Sequence, residues 1–218
     1  MAMNERDLER MFALADIELV GASRAGLKAV LYDVLDEFVS DSNCWNELIP
    51  LTISQGSTQY TITPSQGGAV LRLVAVIDQN CVGYPAFLPT VQPPSAILQL
   101  VWPQNTSIPV TVIVIKKLIL PTNKHDVPDA PDWLLPIYER QVLDGLLGRM
   151  MLQPNKSYSS KDGAQYHLKR FRDGIAVAKT AVMRSNLFGG QSWRYPRNFR
   201  TQSQRGSVST PFPQPTAW

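Results

Sequence analysis

The sequence predicts an α+β protein. N-terminal helices and a C-terminal helical hairpin form a helical part, which carries an inserted antiparallel β-sandwich or small barrel and ends in an extended C-terminal arm. Three observations predict this. Apolar residues recur at three- and four-residue spacing near both ends of the chain, the period of a helix with one buried face. Between them the pattern changes to short β-branched, alternating runs punctuated by proline and glycine. After residue 188 large aliphatic residues almost vanish, with Val208 the exception. The parts are 1–47, 48–127, 128–188 and 189–218.

Asn4 can cap a short helix running to about Ala15. A stronger helix follows Ser23, another N-cap residue. Leu27, Val30, Leu31, Val34, Leu35 and Phe38 make one apolar stripe along it, and Asp33, Asp36, Glu37 and Asp41 lie mostly off that stripe. These four acids are read either as a solvated face or as a wall facing a channel or a basic partner.

The β region runs from about Leu48 to Leu120. Thr58–Thr63 alternates, Gly67-Gly68 is a turn, and Val70–Ile77, Ala96–Trp102 and Pro109–Leu120 are strand-like. Pro64, Gly83, Pro85, Pro93-Pro94 and Pro103 separate these runs. Asp78 is the one acidic residue between Leu51 and Leu120.

Helices return after Pro128. Asp132 is the expected N-cap of a helix to about Leu152, with Pro136 making its first turn irregular. Gly145 and Gly148 in the body of that helix each cost about 1 kcal/mol against alanine, which makes sense where another helix packs closely. Ser159 or Ser160 can cap the last helix. Ala164, Leu168, Phe171, Ile175, Ala178 and Val182 form a seam along it, while Lys169, Arg170, Arg172, Lys179 and Arg184, with His167, lie on the other side. The seam is read as one face of a hairpin with the preceding helix.

The arm has no acidic residue. It combines Arg194, Arg197, Arg200 and Arg205 with Trp193, Tyr195, Phe199, Phe212 and Trp218. Aromatics and arginines dominate interface energetics, so this composition suits a segment that orders on a partner; the alternative is a basic tail without fixed structure. About 30 extended residues reach on the order of 100 Å.

Charge is divided in the same way. The 218 residues carry a net +3, but residues 1–155 hold ten basic and sixteen acidic side chains, and residues 156–218 hold eleven basic and two acidic. A chain so polarised is built to meet something at one end. Two cysteines, Cys44 and Cys81, provide no disulfide framework. The charged N-terminus lacks the apolar core of a signal peptide, and the longest apolar run stops at Lys116-Lys117, far short of the roughly 20 residues needed to span a bilayer. The expectation is a soluble protein from a reducing compartment, without membrane attachment.

No pattern points to catalysis, a metal or another cofactor. His125 and His167 are the only histidines and stand in no ligand spacing. Gly21–Gly26 matches part of a phosphate loop, but Leu27 replaces its lysine and a helix precedes it. Ala25 also breaks the nucleophile-elbow pattern. Asn105-Thr-Ser and Asn155-Lys-Ser match the glycosylation pattern without a secretion signal. The basic C-terminal third suits single-stranded nucleic acid, making a DNA-binding accessory protein the alternative function. A sugar- or cell-binding β-sandwich is a third class, but it leaves the hairpin and arm unexplained.

Several motifs occur in a fixed order. Trp45 follows the acidic helix, and Gly56-x-x-x-Tyr60 opens the β region. Then come Pro128-Asp-Ala-Pro-Asp-Trp-Leu-Leu-Pro-Ile-Tyr138, Asp144-Gly-Leu-Leu-Gly-Arg-Met-Met, Pro154-Asn-Lys-Ser-Tyr158 and Ala164-x-x-His-x-x-x-Phe171-x-x-Gly174-Ile175. From about residue 20 to 188 this order resembles the head–tail adaptor (connector, or tail-tube-A-like) proteins of tailed bacteriophages. The resemblance implies a non-enzymatic virion protein, assembled in the bacterial host cytoplasm and placed at the portal vertex or neck. It implies a ring, usually twelvefold, that docks on the portal, extends the DNA channel and presents a surface to the tail or nozzle. Double-stranded DNA passes through such a ring without sequence-specific binding. Tyr138, Gly145, Ala164, Leu168, Phe171 and Ile175 are then the hairpin-packing residues. Trp193, Arg194, Tyr195, Arg197, Phe199, Arg200, Arg205, Phe212 and Trp218 form the portal-binding arm, and Asp33, Asp36, Glu37 and Asp41 are the candidate channel-facing acids.

Overall fold

A computed structural model describes residues 4–65, 67–119 and 130–185. Helix α1, Glu5–Glu18, starts where Asn4 accepts the Arg6 amide at 3.1 Å. Its residues Leu8, Met11, Phe12 and Ala15 repeat at helical spacing and are buried. Helix α2, Arg24–Ser42, is capped by Ser23, whose hydroxyl accepts the Gly26 amide at 3.2 Å. It ends at Asn43, in the left-handed conformation with φ of 57°, whose amide donates to the Val39 carbonyl.

Six strands follow: β1 Asn46–Ile53, β2 Gln59–Ile62, β3 Ala69–Asp78, β4 Ala86–Gln92, β5 Ser95–Leu100 and β6 Ile108–Lys117. They form two antiparallel three-stranded sheets, in the orders β1-β6-β3 and β2-β5-β4. Ile53, Ile62, Val70, Val76, Leu98, Val112 and Val114 fill the space between them, so the module is a sandwich.

The strands depart from the sequence reading in two places. The run expected to reach Trp102 stops at Leu100, leaving Trp102 in an exposed loop ahead of Pro103. Strands β1 and β4 contain Pro50 and Pro89, which disguised them. Both are edge strands, where a residue without an amide donor is tolerated, and the β4–β5 register shifts between Phe87 and Thr90, around Pro89.

Helix α3, Leu134–Met151, corrects another expectation. Asp132 does not cap it; Trp133 stands at the N-cap with no side-chain hydrogen bond, after a turn in which the Leu134 amide donates to the Pro131 carbonyl. The irregularity expected from Pro136 falls at Tyr138, with φ −117° and ψ 22°. Helix α4, Lys161–Ser185, is capped by Ser160, which accepts the Gly163 amide at 3.1 Å. Along its seam Ala164, Phe171 and Ala178 are buried, and Leu168, Ile175 and Val182 are half-buried.

A second core joins the helices. Leu8, Met11, Leu31, Leu35, Phe38, Leu134, Val142, Leu146 and Phe171 belong to it, as do Trp45 and Leu118 at the two ends of the β module. Among the described residues, no helix is long and apolar enough to cross a membrane.

Candidate functional site

The hairpin-packing residues converge. A Cβ on Gly145 would come within 2.6 Å of Val34 on α2 and 2.8 Å of Phe171 on α4, so three helices meet at a position that admits only hydrogen. The same close approach recurs where Gly148 faces Leu168 and where Gly174 faces Gln141. Ala164 and Phe171 are buried, Ile175 packs against the same core, and the Tyr138 ring lies 4.9 Å from Phe38, centroid to centroid. Burial pushes the Tyr138 phenol above its ordinary pKa.

The four acids do not share one environment. Asp33 and Asp41 are exposed. Glu37 is folded onto the protein in an ion pair with Arg149 of α3. Asp36 is half-buried, and its Oδ1 has no hydrogen-bond partner. Burial raises its pKa, against the pull of nearby Lys117. Trp193, Arg194, Tyr195, Arg197, Phe199, Arg200, Arg205, Phe212 and Trp218 lie outside the described residues, as do His125 and Pro128-Asp129.

Two polar clusters escaped the sequence reading. The first surrounds His167, which together with Arg170 of the basic face meets carboxylates of other helices. Nδ1 lies 2.8 Å from Asp144 of α3, and Nε2 lies 3.3 Å from Glu18 of α1. Arg170 holds the other oxygen of Asp144 at 3.2 Å and donates to the Tyr166 hydroxyl at 3.0 Å. The partners come from three helices, so no local spacing could announce them. The one available signal was that Asp144 and His167 both stand in the quoted motifs.

The second cluster ties the β module to the bundle. Lys116, which ends the apolar run of β6, is fully buried. Its Nζ sits 2.8 Å from Glu47 and 4.1 Å from the Trp45 ring centroid. The Ser65 amide donates to the other Glu47 oxygen at 2.8 Å. Burial opposes the Glu47 charge, but the hydrogen bonds from Lys116 and Ser65 outweigh it and hold the carboxyl below its usual range. Gly68, at φ +71°, lies under the same indole; a Cβ there would be 2.5 Å from it.

The Gly56-x-x-x-Tyr60 step is a pinned turn. The Tyr60 hydroxyl accepts the Ser54 amide at 3.0 Å and lies within 3.1 Å of the Ser54 and Ser57 carbonyls, while Gly56, at φ +76°, donates to the Gln104 carbonyl at 3.0 Å. This tie fixes the loop that displays Trp102, 64% exposed. An open apolar groove of about 740 Å³ runs between β3 and β4, with Leu73, Val74, Phe87 and Val91 in its walls. Among the described residues, no group of three or more His, Cys, Asp or Glu could hold a metal ion. No protein-family model matches the chain, and no curated protein matches it. Paired charges join helices, and the β module turns an apolar groove outward, with Arg72 in its lining.

Proposed function

We propose that this chain is the subunit of a head–tail adaptor ring of a tailed bacteriophage, a structural rather than enzymatic role that needs no cofactor. One observation carries the reading. The hairpin motifs come from separate stretches of sequence, yet Asp144 bonds His167, Gly145 receives Phe171, and Gly148 and Gly174 seat the facing helix in one seam. Hairpin motifs that meet in one interface support the resemblance better than the same residues scattered over the fold.

The charge distribution suits a ring. Successive subunits of a ring place one face against a different face of the next, and an acidic body paired with a basic C-terminal third fits such a head-to-tail contact. In this reading the ring, twelvefold by resemblance, docks on the portal at the virion neck through the arm 189–218. It extends the channel for passing double-stranded DNA and presents the β module to the tail or nozzle.

Electron microscopy of the protein alone and mixed with portal tests the proposal; rings seated on portal are the expected result. Tight duplex-DNA binding that falls steeply with salt, without ring formation, would instead identify a DNA-binding accessory protein.

A further inference from the structure

We propose that His167 is a protonation-dependent latch that holds the C-terminal end of α1 against the α3–α4 hairpin. The inference starts from what faces the imidazole. Glu18 approaches from α1, Asp144 from α3, and Arg170 and Tyr166 from α4 itself, with the Tyr166 ring edge-on at 5.2 Å. The side chains of His167 and Asp144 are only 12% and 9% exposed, so this pair is largely withdrawn from water, whereas Glu18 is 48% exposed at the rim.

The two ring nitrogens respond differently to a proton. An ionised carboxylate only accepts hydrogen bonds, so the 2.8 Å contact with Asp144 fixes a proton on Nδ1. That bond survives whether the ring is neutral or charged. Nε2 faces Glu18 at 3.3 Å. In the neutral ring it presents a lone pair to a carboxylate, acceptor against acceptor. In the imidazolium it donates. Charge balance points the same way: Glu18, Asp144 and Arg170 leave one uncompensated negative charge, which the imidazolium cancels. The contact with Glu18 therefore closes when the ring carries both protons and opens when Nε2 loses its own.

The contact bears on the end of α1, where Leu19 is also buried in the core. Leu8, Met11, Phe12 and Ala15 anchor the body of the helix in the core, and Arg10 pairs with Glu139 at 2.9 Å. Beyond Glu18 the Val20 carbonyl accepts from Ser157 at 2.8 Å. Ile17 and Val20, 73% and 70% exposed, flank the latch, so it governs how an apolar surface pair is presented.

Amide hydrogen exchange on the full chain, corrected for the intrinsic effect of pH, tests the latch. Protection of the amides from Glu18 to Ala22 should fall roughly threefold to tenfold as the pH is raised from the acid to the alkaline side, the size of one charge-assisted contact, while the α2 core stays unchanged. Glu18→Gln should abolish the step, because an amide donates to a neutral Nε2 and accepts from a protonated one. His167→Gln should abolish it as well, and His125→Gln should leave it intact. A wild-type protein with no step, or a step that persists in Glu18→Gln, overturns the proposal. Glu18 lies at the rim, so that variant keeps the test decisive even if His167→Gln fails to fold.

Discussion

Gly145 of α3 and Phe171 of α4 touch so closely that a Cβ on the glycine would stand 2.8 Å from the phenyl ring. A glycine-to-alanine change inside a helix normally gains about 1 kcal/mol. Here the new methyl also meets Val34 at 2.6 Å, from a third helix, and overpacking costs about 1–3 kcal/mol. Gly145→Ala should therefore lower stability by up to about 2 kcal/mol, read as a reduced urea midpoint at unchanged slope. A midpoint above wild type would show that the three helices separate easily.

Lys116 and Glu47 form a buried pair at 2.8 Å. Removing one partner strands the other, so Lys116→Met should cost about 3–5 kcal/mol. The double variant Lys116→Met with Glu47→Gln should recover much of that loss, because no buried charge remains. Urea denaturation of the two single variants and the double variant closes the cycle. Equal loss in Lys116→Met and the double variant would mean that stacking on Trp45, rather than charge pairing, is what the lysine contributes.

The same pair gives acid sensitivity a sign. The folded Glu47 carboxyl titrates below 4.5, its ordinary value, so its stabilisation is complete above that pH and disappears as the pH falls through the lower, folded value. Stability measured by urea from about pH 6 to about pH 3 should fall more steeply in the wild type than in the double variant. Parallel curves would remove Glu47 from the account of acid unfolding.

Deletion of residues 190–218 should leave the urea midpoint within about 0.5 kcal/mol of wild type in stability, since the described cores lie before it. It should also abolish attachment to portal in a co-sedimentation assay. Normal attachment of the shortened chain would sink the assignment of the arm.

On the proposed adaptor reading, Asp33 and Asp41 are the informative candidate channel-facing acids because both are exposed, whereas Glu37 is committed to Arg149. If they face DNA, replacing both with lysine should slow DNA ejection from assembled particles, since repulsion becomes attraction. Ejection at the wild-type rate from correctly assembled particles would place these acids away from DNA.

Local chemistry was legible in the sequence. Asn4, Ser23 and Ser160 cap helices through bonds to amides two or three residues ahead, a relationship that spacing alone reveals. The close helix packing at Gly145 and Gly148 was legible too, because a glycine inside a helix needs a reason. What the sequence hid is non-local. Lys116 read as the polar end of an apolar run, and only Glu47, 69 positions earlier, makes its burial possible. His167 read as one more member of a basic face until Asp144 and Glu18 approached from other helices. Pro50 and Pro89 obscured two strands because a proline excludes a central position but not an edge.

The insertion of the sandwich between α2 and α3 orders events during synthesis. All six strands are complete once Lys117 has left the ribosome, so the sandwich can close on its own. The apolar faces of α1 and α2 must wait for Val142, Leu146 and Phe171 before their own core exists. At about 5–20 residues per second, that wait lasts on the order of 3–10 s. For that interval the nascent chain presents a finished β module and an unfinished helical pair, and the helical pair is the part a chaperone has to shield.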